Sequence, residues 1–144
     1  MNIASLDRFL AAQETVYEIA LSEIKKGRKR THWMWYIFPQ LRGLGMSPMS
    51  YTYGISGLAE AKAYLAHPVL SKRLFEICGA LLEHSDKSAF DIFGDIDEMK
   101  LKSSMTLFAF ISDSDSVFHK VLDAFFGGET DAITLELINQ ENGK

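Results

Sequence analysis

Cysteine is nearly absent: Cys78 stands alone among 144 residues. No disulfide can form within the chain, and a reducing, cytoplasmic setting is the expectation. Long apolar runs are missing too. Nothing approaches the roughly twenty residues of a membrane helix, and MNIASLDRFLAAQ lacks the basic-then-apolar order of a secretory signal, so no membrane partner is expected. The four histidines, His32, His67, His84 and His119, are scattered singly, with no CxxC or HExxH beside them. No Walker loop and no GxGxxG occurs either, so neither a metal nor a cofactor is expected. Strand-like residues gather in one run only, and a lone strand has nothing to pair with. An all-α chain follows, of one domain by its length.

The net charge of −4 weighs against broad binding to nucleic acid, yet it is unevenly spread. Residues 1–50 hold seven Lys/Arg against four Asp/Glu, a balance of +3; residues 91–144 hold four against eleven, a balance of −7. A local cationic patch near 25–30 is enough for a small phosphorylated ligand.

What the chain does have is concentrated in GRKRTHWMWYIFPQLRGLGMS, residues 27–47. Both tryptophans, Trp33 and Trp35, lie there beside His32, Tyr36 and Phe38, behind the basic run Arg28-Lys29-Arg30. Such aromatic density predicts a packed, partly irregular segment with a short helical turn ending before Pro39. Upstream, Leu6, Phe9, Leu10, Val16, Tyr17, Ala20, Leu21 and Ile24 keep helical spacing, with Ser5 placed to cap and Gly27 to stop one long helix. Gln13 interrupts that stripe, and a polar amide among apolar neighbours needs a partner: backbone, water or ligand.

Gly43, Gly45, Pro48, Gly54 and Gly57 mark an ordered loop holding at most one helical turn. Helices are expected over 58–66, then from Pro68 to about His84, with the His67-Pro68 pair between them. A short turn, 90–94, closes on Gly94. Asp95 or Asp97 would cap a helix from Glu98 to about Ile111; another follows over 117–126, and Thr130 would cap the last, 131 to about 139. The sum is one orthogonal helical domain, 1–144, of six or seven helices.

Two constellations carry candidate chemistry. Lys29 and His32 stand against the tryptophans, where π-faces take a base and cations take phosphate. The ordinary structural reading is a solvated basic loop beside core aromatics. Asp91, Asp95 and Asp97 with Lys100 form the second group. Helix caps are their default role; the alternative is a general base or ribose ligand in a cleft, with Lys100 balancing its charge. Ser103, Ser104 and Thr106 put three hydroxyls inside one helix, either bonded back to the previous turn or facing something polar.

The blocks AQ at 12–13, Tyr17, EIKKGRKRTHWMWYIFPQLRGLGMS at 23–47, EAKAYLAHPVLSKRL at 60–74, IFGDID at 92–97 and KLKSSMTLF at 100–108 resemble the uncharacterised bacterial domain-of-unknown-function family 1810. Members are sometimes mislabelled calpastatin. The resemblance spans nearly the whole chain and implies a single all-helical domain without implying a reaction.

A weaker resemblance is to the NADAR N-glycosidases, which act on ribosyl-linked bases and ADP-ribose derivatives. Asp91-Ile92-Phe93-Gly94 is similar in place to their late Asp-x-x-Trp-Gly turn, with Phe93 where they have tryptophan and no matching early glutamate motif. Together these readings point to a binder or hydrolase of a small anionic ribosyl, nucleotide-like ligand. Gln13, Lys29, His32, Trp35, Phe38, Gln40, Ser103 and Ser104 are the candidate contacts, and Asp91, Asp97 and Lys100 the candidate catalytic groups. The rival is a protein-interaction module that uses the aromatic 32–47 segment.

Overall fold

Residues 6–142 are described by the structure, a computed structural model. Nine helices occur among them: α1 Asp7–Glu14, α2 Tyr17–Lys25, α3 Met34–Ile37, α4 Pro48–Tyr53, α5 Leu58–Ala66, α6 Pro68–Leu82, α7 Ala89–Phe110, α8 Val117–Phe126 and α9 Ala132–Asn142. The expected all-α class stands, with more helices than the six or seven expected. The long first helix is in fact two, broken at Thr15-Val16, where two stiff β-branched residues meet. Gln13 and Tyr17, on either side of the break, both face inward. A short α4 adds the other, with Pro48 in its first turn and Ser47 accepting from Ser50 N at 3.1 Å. The proposed Ser5 cap lies outside the described residues.

The expected 90–94 turn does close on Gly94 (φ 81°, ψ 170°), which is not helical and kinks α7 into two pieces. The first piece starts one residue earlier, at Ala89, and is capped by Ser88, whose Oγ accepts from Asp91 N at 3.0 Å. The second piece begins after Gly94 as expected, but among the described residues neither Asp95 nor Asp97 accepts a backbone N–H as a cap, and Asp97 turns to Lys29 and Lys100 instead. At the last helix the cap is Asp131, whose Oδ2 accepts from Thr134 N at 2.9 Å, and Thr130 is passed over.

One core joins these elements. Trp33, Phe38 and Phe93 meet with ring centroids 6.0–6.5 Å apart, tying the segment before and after α3 to α7. Phe9, Tyr64, Phe108 and Phe118 continue the stack through α1, α5, α7 and α8. Edge-to-face and tilted ring pairs of this kind add to the burial term. Strand pairing among the described residues is limited to an isolated parallel bridge, Leu41 with Ile55. It fixes the chain after α3, with Ile55 N donating to Gln40 O and Arg42 N to Ile55 O, each at 2.8 Å. No described helix is long and apolar enough to cross a membrane.

Candidate functional site

The site begins with Glu23 on α2. Its carboxylate is buried and takes four donors from the basic-aromatic run: Arg30 N at 2.8 Å, Thr31 N at 3.1 Å, Thr31 Oγ1 at 2.7 Å and Trp33 Nε1 at 2.9 Å. Burial alone pushes this carboxyl up. The hydrogen bonds from Arg30, Thr31 and Trp33 outweigh it and bring the pKa down to about 2. The run is thereby wound tightly around one anion, and its chain path is set.

That path carries Lys29 across to α7. Its backbone N donates to Ile92 O at 2.8 Å. Its ammonium sits 2.9 Å from Asp97 Oδ2, donates to Thr31 O at 2.6 Å, and lies 5.0 Å from the Trp33 ring centroid. The side chain is only 8% exposed. Lys100, one turn after Asp97, reaches the same carboxylate through Oδ1 at the looser distance of 3.4 Å and lies 4.4 Å from the centroid of Trp35. One carboxylate thus stands between two ammonium groups.

Beside this triad is a cavity of about 320 Å³. Trp35, Gln40, Lys100, Ser103 and Asp131 line it together with Leu44 and Gly45, and the exposed side chains of Ile96, Met99 and Ile133 stand around it. Gly45 is held to its identity by crowding, because a Cβ there would come within 2.7 Å of Ser50 Oγ. Ser103 Oγ donates to Met99 O at 3.1 Å, bonding back along its own helix and leaving the oxygen lone pairs over. Gln40 is only 8% exposed, and no group among the described residues hydrogen-bonds its side-chain amide.

Of the residues proposed from sequence, the structure gathers Lys29, Asp97 and Lys100 into the triad, and Trp35, Gln40, Lys100 and Ser103 around the cavity. The others lie apart from it. Gln13 is a buried strut, donating to Tyr36 O at 2.8 Å and Tyr64 Oη at 3.1 Å and accepting from Arg73 Nη1 at 3.2 Å. Phe38 is core, 1% exposed like Trp33. His32 is exposed and contributes its carbonyl to Tyr36 Oη. Asp91 is exposed in the first turn of α7. Ser104, one position along from Ser103, is turned wholly inward, and its Oγ has no partner among the described residues. Arg28 and Arg30 line a separate hollow of about 370 Å³ along α2 with Glu18, Ser22 and Lys26.

Sequence reasoning missed Glu23 and Asp131. Nothing local marks Glu23, whose donors come from seven to ten residues later. Asp131 did have a signal, an acidic residue three before Thr134 at the start of an apolar run, which is the spacing of a helix cap.

A family model described as "Protein of unknown function (DUF1810)" matches residues 3–138. Among solved structures, the chain is similar to the conserved hypothetical protein Rv1873 from Mycobacterium tuberculosis. The two are 48% identical with a TM-score of 0.90, over 93% of this chain and 96% of that one. No curated protein matches. Neither finding extends to the NADAR N-glycosidases.

Proposed function

The chain belongs to this DUF1810 family, whose description names no reaction, and from the geometry of its own cavity we propose that it binds a small anionic, nucleotide-like ligand between the 35–45 segment and α7. The observation that carries this reading is the shared carboxylate. Asp97 is held closely by Lys29 at 2.9 Å and loosely by Lys100 at 3.4 Å, so the triad taken alone carries one positive charge in excess. The looser of its two lysines lines the cavity, whose other charged wall is Asp131. A cation beside an aromatic wall in a partly enclosed hollow suits an anion joined to a flat or apolar group.

Binding fits better than N-glycosidic hydrolysis. Such hydrolysis needs a carboxylate free to steady oxocarbenium charge. Of the two acids put forward for it, Asp97 is engaged by two lysines, and Asp91 is exposed and does not line the cavity. Asp131, which does line it, gives one of its two oxygens to capping α9. Burial of Trp33 and Phe38 also takes two of the rings in the 32–47 segment out of reach of a docking partner.

The test is a thermal-shift titration of the purified chain with AMP, ADP and ADP-ribose. Ligand at a hundredfold excess over Kd should add about 2.7 kcal/mol, which is several degrees in Tm. Lys100→Ala should abolish the shift while lowering the unliganded stability by no more than about 1 kcal/mol, since its contact with Asp97 is long and Asp97 keeps Lys29. Absence of a shift with all three nucleotides would end the proposal.

A further inference from the structure

We infer that the cavity reads the sugar of its ligand, through vicinal hydroxyls held by the open carboxylate oxygen of Asp131 and the side-chain amide of Gln40. The inference rests on the nucleotide-like reading above and specifies which part of the ligand meets which wall.

Asp131 caps α9, and both of its bonds to that helix use one oxygen: Oδ2 accepts from Thr134 N at 2.9 Å and from Thr134 Oγ1 at 2.6 Å. Its own backbone N is fixed by Thr106 Oγ1 at 2.9 Å, so the carboxyl group is held in place from two sides. Oδ1 has no partner among the described residues, and the residue lines the cavity. A rigid acceptor is therefore presented to whatever fills the space.

The surroundings decide what that acceptor takes. Asp131 lies at the positive end of the α9 dipole, and the same cavity contains the Lys100 ammonium. A second cation entering there would meet both. A neutral donor such as a hydroxyl meets neither penalty, and a carboxylate oxygen accepts from it strongly.

Gln40 is the independent observation. The residue is only 8% exposed and lines the cavity, and its amide has no protein partner among the described residues. Its polar atoms are not sealed off, so they are left to bond whatever occupies that space. Its N–H groups and carbonyl can donate to and accept from adjacent hydroxyls at once. With the anionic group on Lys100 and an apolar or flat portion along Met99 and Ile133, a sugar phosphate carrying a ring satisfies every polar group that the cavity leaves open.

The experiment measures calorimetric binding of AMP, ADP-ribose and 2′,3′-dideoxy-AMP to the full chain and to three variants. Asp131→Asn keeps an N-cap residue of equal quality but removes the charged acceptor; Asp131→Ser, also a good cap, is the second test of the same position; Gln40→Met removes the amide at similar volume. The wild-type chain should bind AMP at least tenfold more tightly than its dideoxy form. Asp131→Asn and Gln40→Met should each weaken AMP and ADP-ribose about tenfold while barely changing 2′,3′-dideoxy-AMP, with unliganded Tm unchanged in Asp131→Asn. If AMP or ADP-ribose binds but the variants bind it as tightly as the parent, or AMP and its dideoxy form bind equally, this inference falls and the nucleotide reading survives. If neither AMP nor ADP-ribose binds the wild-type chain, both fall.

Discussion

At the scale of single residues, Glu23 is the group on which the site's backbone turns, and its chemistry makes it measurable. Its carboxyl titrates at about 2 in the folded chain against 4.5 without the fold. A depressed folded value means that the unfolded chain binds the proton first. The stabilisation is therefore complete above pH 4.5 and is lost as pH falls from 4.5 toward 2. At 1.36 kcal/mol per unit, the contribution is on the order of 3 kcal/mol. Urea unfolding at pH 7 and pH 3 should show this loss in the parent and a shallower one in Glu23→Gln. That variant, left with one acceptor oxygen for four donors, should be about 1–3 kcal/mol less stable at neutral pH. None of this was legible beforehand, because a glutamate on a helix looks the same in sequence whether its partners are water or four donors on a later loop. Lys29, Trp35 and Lys100 were easier to single out, since an unusual density of cations and rings shows in composition before any fold is known. Even so, composition did not distinguish Trp33, sealed in the core, from Trp35, two residues on and half-buried beside the cavity.

The elements were legible where a helix has one strong stop and one apolar stripe. The helices begun by Pro68 and stopped by Gly127 match their expected bounds closely, with Gly127 in the left-handed conformation (φ 62°) after α8. They were harder to delimit where a local stop is followed at once by another helix on the same core, and Gly94 is the instructive case. Glycine after Phe93 does end the helical conformation, but Ile92 and Phe93 before it and Leu101 and Met105 after it all enter one core, so the two pieces pack as one kinked element. The conformation of Gly94 lies where L side chains are strained, although no neighbour would touch a Cβ there. Gly94→Ala should therefore cost only backbone strain, about 1–3 kcal/mol in urea unfolding. Gly79, inside α6 with equally open space and no unusual φ, is the control: Gly79→Ala should add about 0.5–1 kcal/mol. Equal effects of the two substitutions would mean that the bend carries no strain.

At the scale of the whole molecule, the charge gradient along the chain becomes a contact between an early basic segment and a later acidic one. The basic early segment supplies Lys29 and the acidic later region supplies Asp97, and the core rings Trp33, Phe38 and Phe93 hold the two against each other. As a candidate contact and a candidate catalytic group, Lys29 and Asp97 would bear on binding alone, but the geometry gives the pair a structural part as well. With its side chain 8% exposed, Lys29 has little water to fall back on, so removing Asp97 strands a nearly buried ammonium. Asp97→Ala should cost about 2–3 kcal/mol, below the 3–5 kcal/mol of a fully buried pair because Asp97 retains some solvent. Replacing both partners with apolar residues, Lys29→Met with Asp97→Leu, should recover most of that loss, since neither charge is then left unpaired. The same double variant frees Lys100 from its only carboxylate contact among the described residues, so an anionic ligand should bind to it at least as tightly as to the parent. A double-mutant cycle followed by both urea midpoint and nucleotide affinity separates the two roles. Coupling near zero between Lys29 and Asp97 in stability would show that the pair is incidental to the fold, and weaker nucleotide binding in the double variant would show that Asp97 takes part in holding the ligand directly, with no need of a surplus charge on Lys100.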